Sequence, residues 1–117
     1  EDGLYLTLTT GGSGNEKYQL TDQSGNKSYF DTKGRLVKIE NSQQTKSNIT
    51  ITYTTTTGNL INTVTDGAGR VYAFTYTNNL LSRISYKGSG ASEISYVAYG
   101  YTGSLLTSIA GLPELKE

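Results

Sequence analysis

Turn residues punctuate this chain at intervals too short for a crossover connection. Glycines or a paired asparagine interrupt an alternation of apolar and polar residues at Gly11–Gly14, Gly25, Gly34, Gly58, Gly67–Gly69, Asn78–Asn79, Gly88–Gly90 and Gly103. Between these points the period is two, as in strands with one apolar face. Parallel neighbours need a connection of about a dozen residues or more, so strands joined this closely must pair antiparallel. The pattern predicts about ten short strands, over residues 4–9, 17–21, 28–30, 35–40, 49–53, 60–65, 72–76, 80–86, 92–101 and 104–109. The fold class is therefore all-β: an extended, twisted antiparallel meander of stacked hairpins. Residues 112–117 are a helix candidate too short to stand alone.

Composition supports the same class and narrows the chemistry. There are 14 glycines against one proline, and 10 tyrosines against two phenylalanines. Charged residues make up 17%, below the roughly 25% of average soluble chains, with Thr, Ser and Asn as the polar complement. Lys+Arg and Asp+Glu number 10 each, so the net charge is zero and bulk electrostatics do not recruit nucleic acid or anionic lipid. Cys and His are absent, which removes disulfides, thiolate nucleophiles, cysteine zinc sites and the usual general base. No stretch approaches the roughly 20 apolar residues of a membrane helix. A Cys-free surface rich in Thr and Ser fits a secreted or bacterial cell-surface protein. The chain opens on Glu1 rather than Met and is expected to be a piece of something larger.

An internal repeat organises the chain. Leu36, Leu60, Leu81 and Leu106 follow successive turns at spacings of 24, 21 and 25, and Ile39, Thr63, Ile84 and Ile109 stand three residues later. Gly34, Gly58, Asn78–Asn79 and Gly103 precede the leucines. An aromatic strand precedes each turn: Tyr29–Phe30, Tyr53, Phe74 with Tyr76, then Tyr96, Tyr99 and Tyr101. Gly or Asn supplies positive φ at the turn, and Asp31 and Asp66 can accept bonds from backbone N–H groups within it. One hairpin is marginal alone, so hairpins must stack side by side. The chain reads as a single module, 1–117: an N-terminal strand and Gly-rich loop over 1–17, repeats over 18–109, and a tail over 110–117.

At these residues the chain resembles the YD-repeat, or Rhs-repeat, family. Ser28-Tyr29-Phe30-Asp31-Thr32-Lys33-Gly34-Arg35-Leu36 is similar to its tyrosine-aspartate signature. Asp22–Asn26 and Thr65–Arg70 resemble its Asp-x-x-Gly turns, with Gly69 and Arg70 in the second. The copies at 53–60 and 99–106 carry Thr54 and Gly100 where the Asp would stand, and the copy at 75–80 lacks both Asp and Gly. The resemblance implies long spiralling antiparallel sheets that close into shells. Bacterial versions enclose a C-terminal toxin or belong to secreted and wall-associated proteins; animal teneurins carry a related shell. Carbohydrate binding is an implied property of the repeats. Shells of this kind usually end in a self-cleaving Asp-Pro motif; here the only proline, Pro113, follows Leu112. Four partial repeats are too few to enclose a cavity.

Weighed residue by residue, the chemistry is sparse. Ser and Thr have no His to activate them, and no Gly-x-Ser-x-Gly elbow opens a helix. Asp22, Asp31 and Asp66 sit at turns and read as turn caps before they read as paired carboxylates or calcium ligands. Gly11–Gly14 and Gly88–Gly90 lack the Lys-Ser/Thr pair and helix of a phosphate loop. Alternating threonines at Thr50–Thr54 suggest an ice-binding face, but only one strand carries them strongly. Arg35 and Arg70 follow turn glycines and are expected to cover sheet surface or pair with the turn aspartates.

The sequence therefore predicts a non-enzymatic structural module with no cofactor and no metal. Its expected partners are the remainder of a larger repeat protein and, by edge-to-edge pairing, further sheet; neither nucleic acid nor membrane insertion is expected. The alternative is a carbohydrate- or surface-binding module in which Tyr53, Tyr72, Tyr76 and Tyr99 stack on sugar rings. Burial of Tyr29, Tyr53, Tyr76 and Tyr99 favours the scaffold; a solvent-facing strip of three or more favours binding.

Overall fold

A computed structural model describes residues 6–12, 14–44, 47–88 and 93–111. It is all-β. The strands are β1 (Thr7–Thr9), β2 (Tyr18–Thr21), β3 (Lys27–Phe30), β4 (Leu36–Glu40), β5 (Ile49–Tyr53), β6 (Ile61–Asp66), β7 (Val71–Thr77), β8 (Leu80–Lys87), β9 (Glu93–Thr102) and β10 (Leu105–Gly111). They form one open sheet in sequence order, each antiparallel to the next. The expected loop over 11–15 contains instead a one-turn 3₁₀ helix, Gly14–Glu16. Residues 4 and 5 of the expected first strand, residue 92 and the helix candidate at 112–117 lie outside the described residues.

Three connections repeat one turn. At Asp22, Asp31 and Asp66 the N–H of the glycine three residues on bonds the Asp carbonyl, and the Asp N–H bonds the carbonyl four residues on. Gly25, Gly34 and Gly69 take φ of 87°, 82° and 86° there. This is a type I turn closed by a left-handed residue, which glycine adopts without steric cost. Asn78 and Asn79 both have positive φ, as a two-residue I′ hairpin requires. In the β9–β10 turn Gly103 has positive φ and Ser104 does not, the II′ pattern.

A bulge recurs in four hairpins. The register skips one residue between Phe30↔Leu36 and Tyr29↔Lys38, and again between Tyr53↔Ile61 and Thr52↔Thr63. It does so a third time between Tyr76↔Leu81 and Thr75↔Arg83, and a fourth between Tyr101↔Leu106 and Gly100↔Ser108. Val37, Asn62, Ser82 and Thr107 are the extra residues. The register therefore aligns Leu36, Ile61, Leu81 and Leu106, with Ile61 where the spacing suggests Leu60, and Val64 where it suggests Thr63. It also aligns Phe30, Tyr53, Tyr76 and Tyr101, so Tyr101 replaces Tyr99 in the fourth repeat. Thr102, not Gly100, then stands at the position of Asp31. Each bulge adds local twist.

Pairing sorts the side chains. One face carries Thr50, Thr52, Thr63, Thr65, Lys38, Glu40, Arg83 and Ser85, with Tyr29 and Tyr96 among them. The opposite face carries Phe30, Ile39, Ile49, Ile51, Tyr53, Val64, Tyr72, Phe74, Tyr76, Ile84, Val97, Tyr99 and Tyr101. No second layer covers either face among the described residues. Lateral neighbours alone leave the aromatic face half-buried, and only Tyr29 and Val37 are buried apolar side chains among the described residues. Nine gaps between ten strands at about 4.8 Å span roughly 43 Å, close to the longest extent of 47 Å. The other extents are 31 and 30 Å; an untwisted single layer would be far thinner in one of them, so the ribbon is strongly twisted.

Candidate functional site

The turn aspartates are used within their turns. Oδ1 of Asp31 accepts the N–H groups of Lys33 (2.9 Å) and Arg35 (3.0 Å), and Oδ2 accepts Nε of Arg35 (2.9 Å). Asp66 accepts Ala68, Arg70 and Arg70 Nε in the same way. At Asp22 the side chain of Asn26 replaces the arginine. Burial raises the Asp31 carboxyl, but the bonds from Arg35 and Lys33 outweigh it and hold the pKa below its ordinary value. Asp66 is lowered on the same balance, and the Asn26 amide leads the lowering of Asp22.

Arg35 does more than pair with Asp31. Its Nη1 donates to the carbonyls of Thr55 (3.0 Å) and Gly58 (2.6 Å) in the next hairpin's turn. Its guanidinium lies 4.4 Å from the centre of the Tyr53 ring. Gly58 in turn donates its N–H to Thr55 Oγ1 (2.8 Å). Arg70 keeps the aspartate contact but has a half-exposed side chain. The planar guanidinium fork suits this simultaneous reach to carboxylate, carbonyls and ring face.

Tyrosines fasten each hairpin to the one before. The hydroxyls of Tyr53, Tyr76 and Tyr101 donate to the carbonyls of Leu36 (2.7 Å), Ile61 (2.8 Å) and Leu81 (2.6 Å). Each spans a junction between hairpins, at β4–β5, β6–β7 and β8–β9. Burial raises the Tyr53 hydroxyl above its ordinary value. Tyr101 was hidden in the sequence among Tyr96 and Tyr99; counting back two residues from Gly103, as from Asn78 to Tyr76, finds it. Of the four tyrosines assigned to a ligand, Tyr53 and Tyr76 thus have committed hydroxyls. Tyr72 meets Tyr86 at a tilt of 38° with centroids 5.2 Å apart, and Tyr99 lies half-buried opposite Ile109.

On the aromatic face, beside the Asp31, Thr55 and Asn78 turns, the bulges and tyrosines frame three shallow niches. One, of about 310 Å³, is lined by Arg35, Val37, Ile51 and Tyr53. The next, of about 460 Å³, is lined by Leu60, Asn62, Phe74 and Tyr76. The third, of about 380 Å³, is lined by Leu80, Ser82, Tyr99 and Tyr101. They are successive copies of one feature; the first is lined by the charged Asp31 and Arg35, and the other two have uncharged linings.

On the polar face one clamp centres on Tyr29, and the Arg83 guanidinium lies 3.8 Å from the centre of the Tyr96 ring. Tyr29 is buried there and donates to Glu40 Oε1 (2.8 Å), with Lys38 Nζ 4.5 Å above its ring. Lys38 pairs with Glu16 (2.9 Å) and Glu40 (3.4 Å), tying the 3₁₀ turn onto the sheet. Burial first, then the Glu40 bond, raises the Tyr29 hydroxyl; Glu16 first raises Lys38; the Tyr29 bond first lowers Glu40. Thr50 and Thr52 face Thr65 and Thr63, so the threonine block spans two strands, with Thr52 and Thr63 hydroxyls bonded at 2.6 Å. Among the described residues no group of three or more Asp, Glu, His or Cys is placed to hold a metal. No described helix is long and apolar enough to cross a membrane.

No protein-family model, curated protein or solved structure matches the chain. Over the described residues the fold is a one-layer antiparallel β-meander whose hairpins are linked by recurring tyrosine bonds.

Proposed function

We propose that this chain is a non-enzymatic structural module: a length of β-sheet wall from a secreted or bacterial cell-surface protein of the YD/Rhs-repeat kind. The supporting observation is the tyrosine bond repeated at each hairpin junction, Tyr53 to Leu36, Tyr76 to Ile61 and Tyr101 to Leu81. The charged groups of Asp31, Arg35, Asp66 and Arg70 bond within their turns, and Arg35 also bonds the neighbouring hairpin. A wall built this way needs only its nearest neighbours, so its stability is close to a sum of repeat and junction contributions. Deleting residues 88–117 tests this. Amide protection across β2–β7 survives in a repeat module, whereas a single cooperative binding domain loses it throughout.

The uncovered aromatic face favours a second reading, attachment to a glycan or host surface through Tyr72 and Tyr99 beside Tyr53 and Tyr76. Tyr29 is buried and the other three tyrosines of the discriminating set are half-buried, so the strip is recessed between neighbours. A glycan array probed with the chain and with Tyr72→Ala separates the readings: signal lost in the variant supports attachment, and a blank array supports the wall.

A further inference from the structure

We infer that the outer edge of β10 is a docking surface for one kind of partner, an extended segment lying antiparallel to it with the pattern apolar-x-apolar-x-Tyr. This deepens the repeat-module reading and rests on it. Three occupied junctions define the rule. Ile49-Thr50-Ile51-Thr52-Tyr53 lies on β4, Tyr72-Ala73-Phe74-Thr75-Tyr76 on β6, and Val97-Ala98-Tyr99-Gly100-Tyr101 on β8. Continued to the strand end, the register sets residues 52, 75 and 100 opposite Leu36, Ile61 and Leu81. In each case the clamping tyrosine is the next residue, and its hydroxyl donates to that leucine or isoleucine carbonyl.

β10 repeats the receiving strand. Leu106 holds the place of Leu36, Ile61 and Leu81, and the same bulge follows it. Ile109 holds the place of Ile39, Val64 and Ile84. Those three are half-buried under the next strand, whereas Ile109 is 64% and Leu106 46% exposed. The strand is uncharged and without proline along its length, Leu-Leu-Thr-Ser-Ile-Ala-Gly, so it lacks the usual devices that discourage edge pairing. The other outer strand of the described sheet fits less well: β1 of a second copy brings Leu6-Thr7-Leu8-Thr9-Thr10, apolar alternation with no tyrosine at its end.

The test is a titration of the isotopically labelled full chain with a peptide of residues 70–78, followed by amide NMR. The expected result is saturable shifts confined to 105–111, with the Tyr76→Phe peptide binding about fivefold more weakly for loss of one neutral hydrogen bond. Equal affinity of the two peptides, shifts centred on β1, or no shift at millimolar peptide overturns the proposal. So do β10 shifts that depend on protein concentration before peptide is added, which assign the edge to a second copy. Amide protection of β2–β9 without peptide is measured in the same samples. If it is intact while the peptide fails, the docking rule falls and the repeat module stands; if it is absent, the module itself falls.

Discussion

Replacing Asp31 by Ala separates turn chemistry from position, because Asp66 makes the same bonds in a different setting. In Asp31→Ala the N–H groups of Lys33 and Arg35 lose their acceptor, and the Arg35 guanidinium loses its carboxylate. Asp31 is only 4% exposed, and the Arg35 side chain is 13% exposed. Removing one member of a buried pair costs about 3–5 kcal/mol. Here one layer of protein surrounds the pair and water lies close by, which points below that range, to about 2–3 kcal/mol. Arg35 also loses its aim at Thr55 and Gly58, so the loss spreads to the next hairpin. Asp66→Ala removes the same set of bonds from a solvated turn whose Arg70 makes no hydrogen bond to a further hairpin among the described residues, and the expected loss is much smaller. Urea unfolding followed by far-UV circular dichroism measures both. A midpoint that falls markedly for Asp31→Ala and little for Asp66→Ala, at constant slope, is expected. Equal losses, or under about 1 kcal/mol for Asp31→Ala, refute the reasoning.

The tyrosine junctions are expected to be additive, since successive ones lie two strands, about 10 Å, apart. Tyr53→Phe, Tyr76→Phe and Tyr101→Phe should each cost roughly 1 kcal/mol, and the triple variant roughly their sum, by the same unfolding assay. Gly34→Ala forces a Cβ into φ of 82° and should lose about 1–2 kcal/mol by urea midpoint, whereas Asn79→Gly keeps the turn and should raise the midpoint slightly. Stability should be flat between about pH 5 and 9, because no histidine titrates there. Below that window it falls as Asp22, Asp31, Asp66 and Glu40, all lowered in the fold, are protonated through their folded pKa values. Above it, stability falls as Tyr29, Tyr53 and Lys38, all raised in the fold, lose their protons. A thermal-melt series across pH checks both limbs.

The turns were the most legible part of the fold. Asp22, Asp31 and Asp66 each precede a glycine by three residues, and that spacing alone implies the cap and the left-handed glycine. Alternation also located the strands and their antiparallel order. What it could not locate were the bulges, because an extra residue such as Val37 or Asn62 reverses the in–out sense without changing composition. The alignment of Leu60 with Leu36 slipped by one for a related reason: the β5–β6 connection is the longest of the four bulged hairpins, and Thr54 N–H closes it on the Leu60 carbonyl. The tyrosine bonds were invisible because they depend on register at the strand ends. Nor does an apolar stripe reveal whether anything will cover it. Alternation ordinarily implies a face packed on a core, and here, among the described residues, the stripe from Phe30 to Tyr101 has only its lateral neighbours.

Solution X-ray scattering of the monomeric chain tests most directly whether this is a one-layer ribbon without a core. A compact chain of this length has a radius of gyration of about 13 Å; the ribbon has 17.1 Å with a longest extent of 47 Å. A value near 17 Å with an elongated distance distribution is the expected result. A value near 13 Å, with the aromatic face folded onto a second layer, would contradict it.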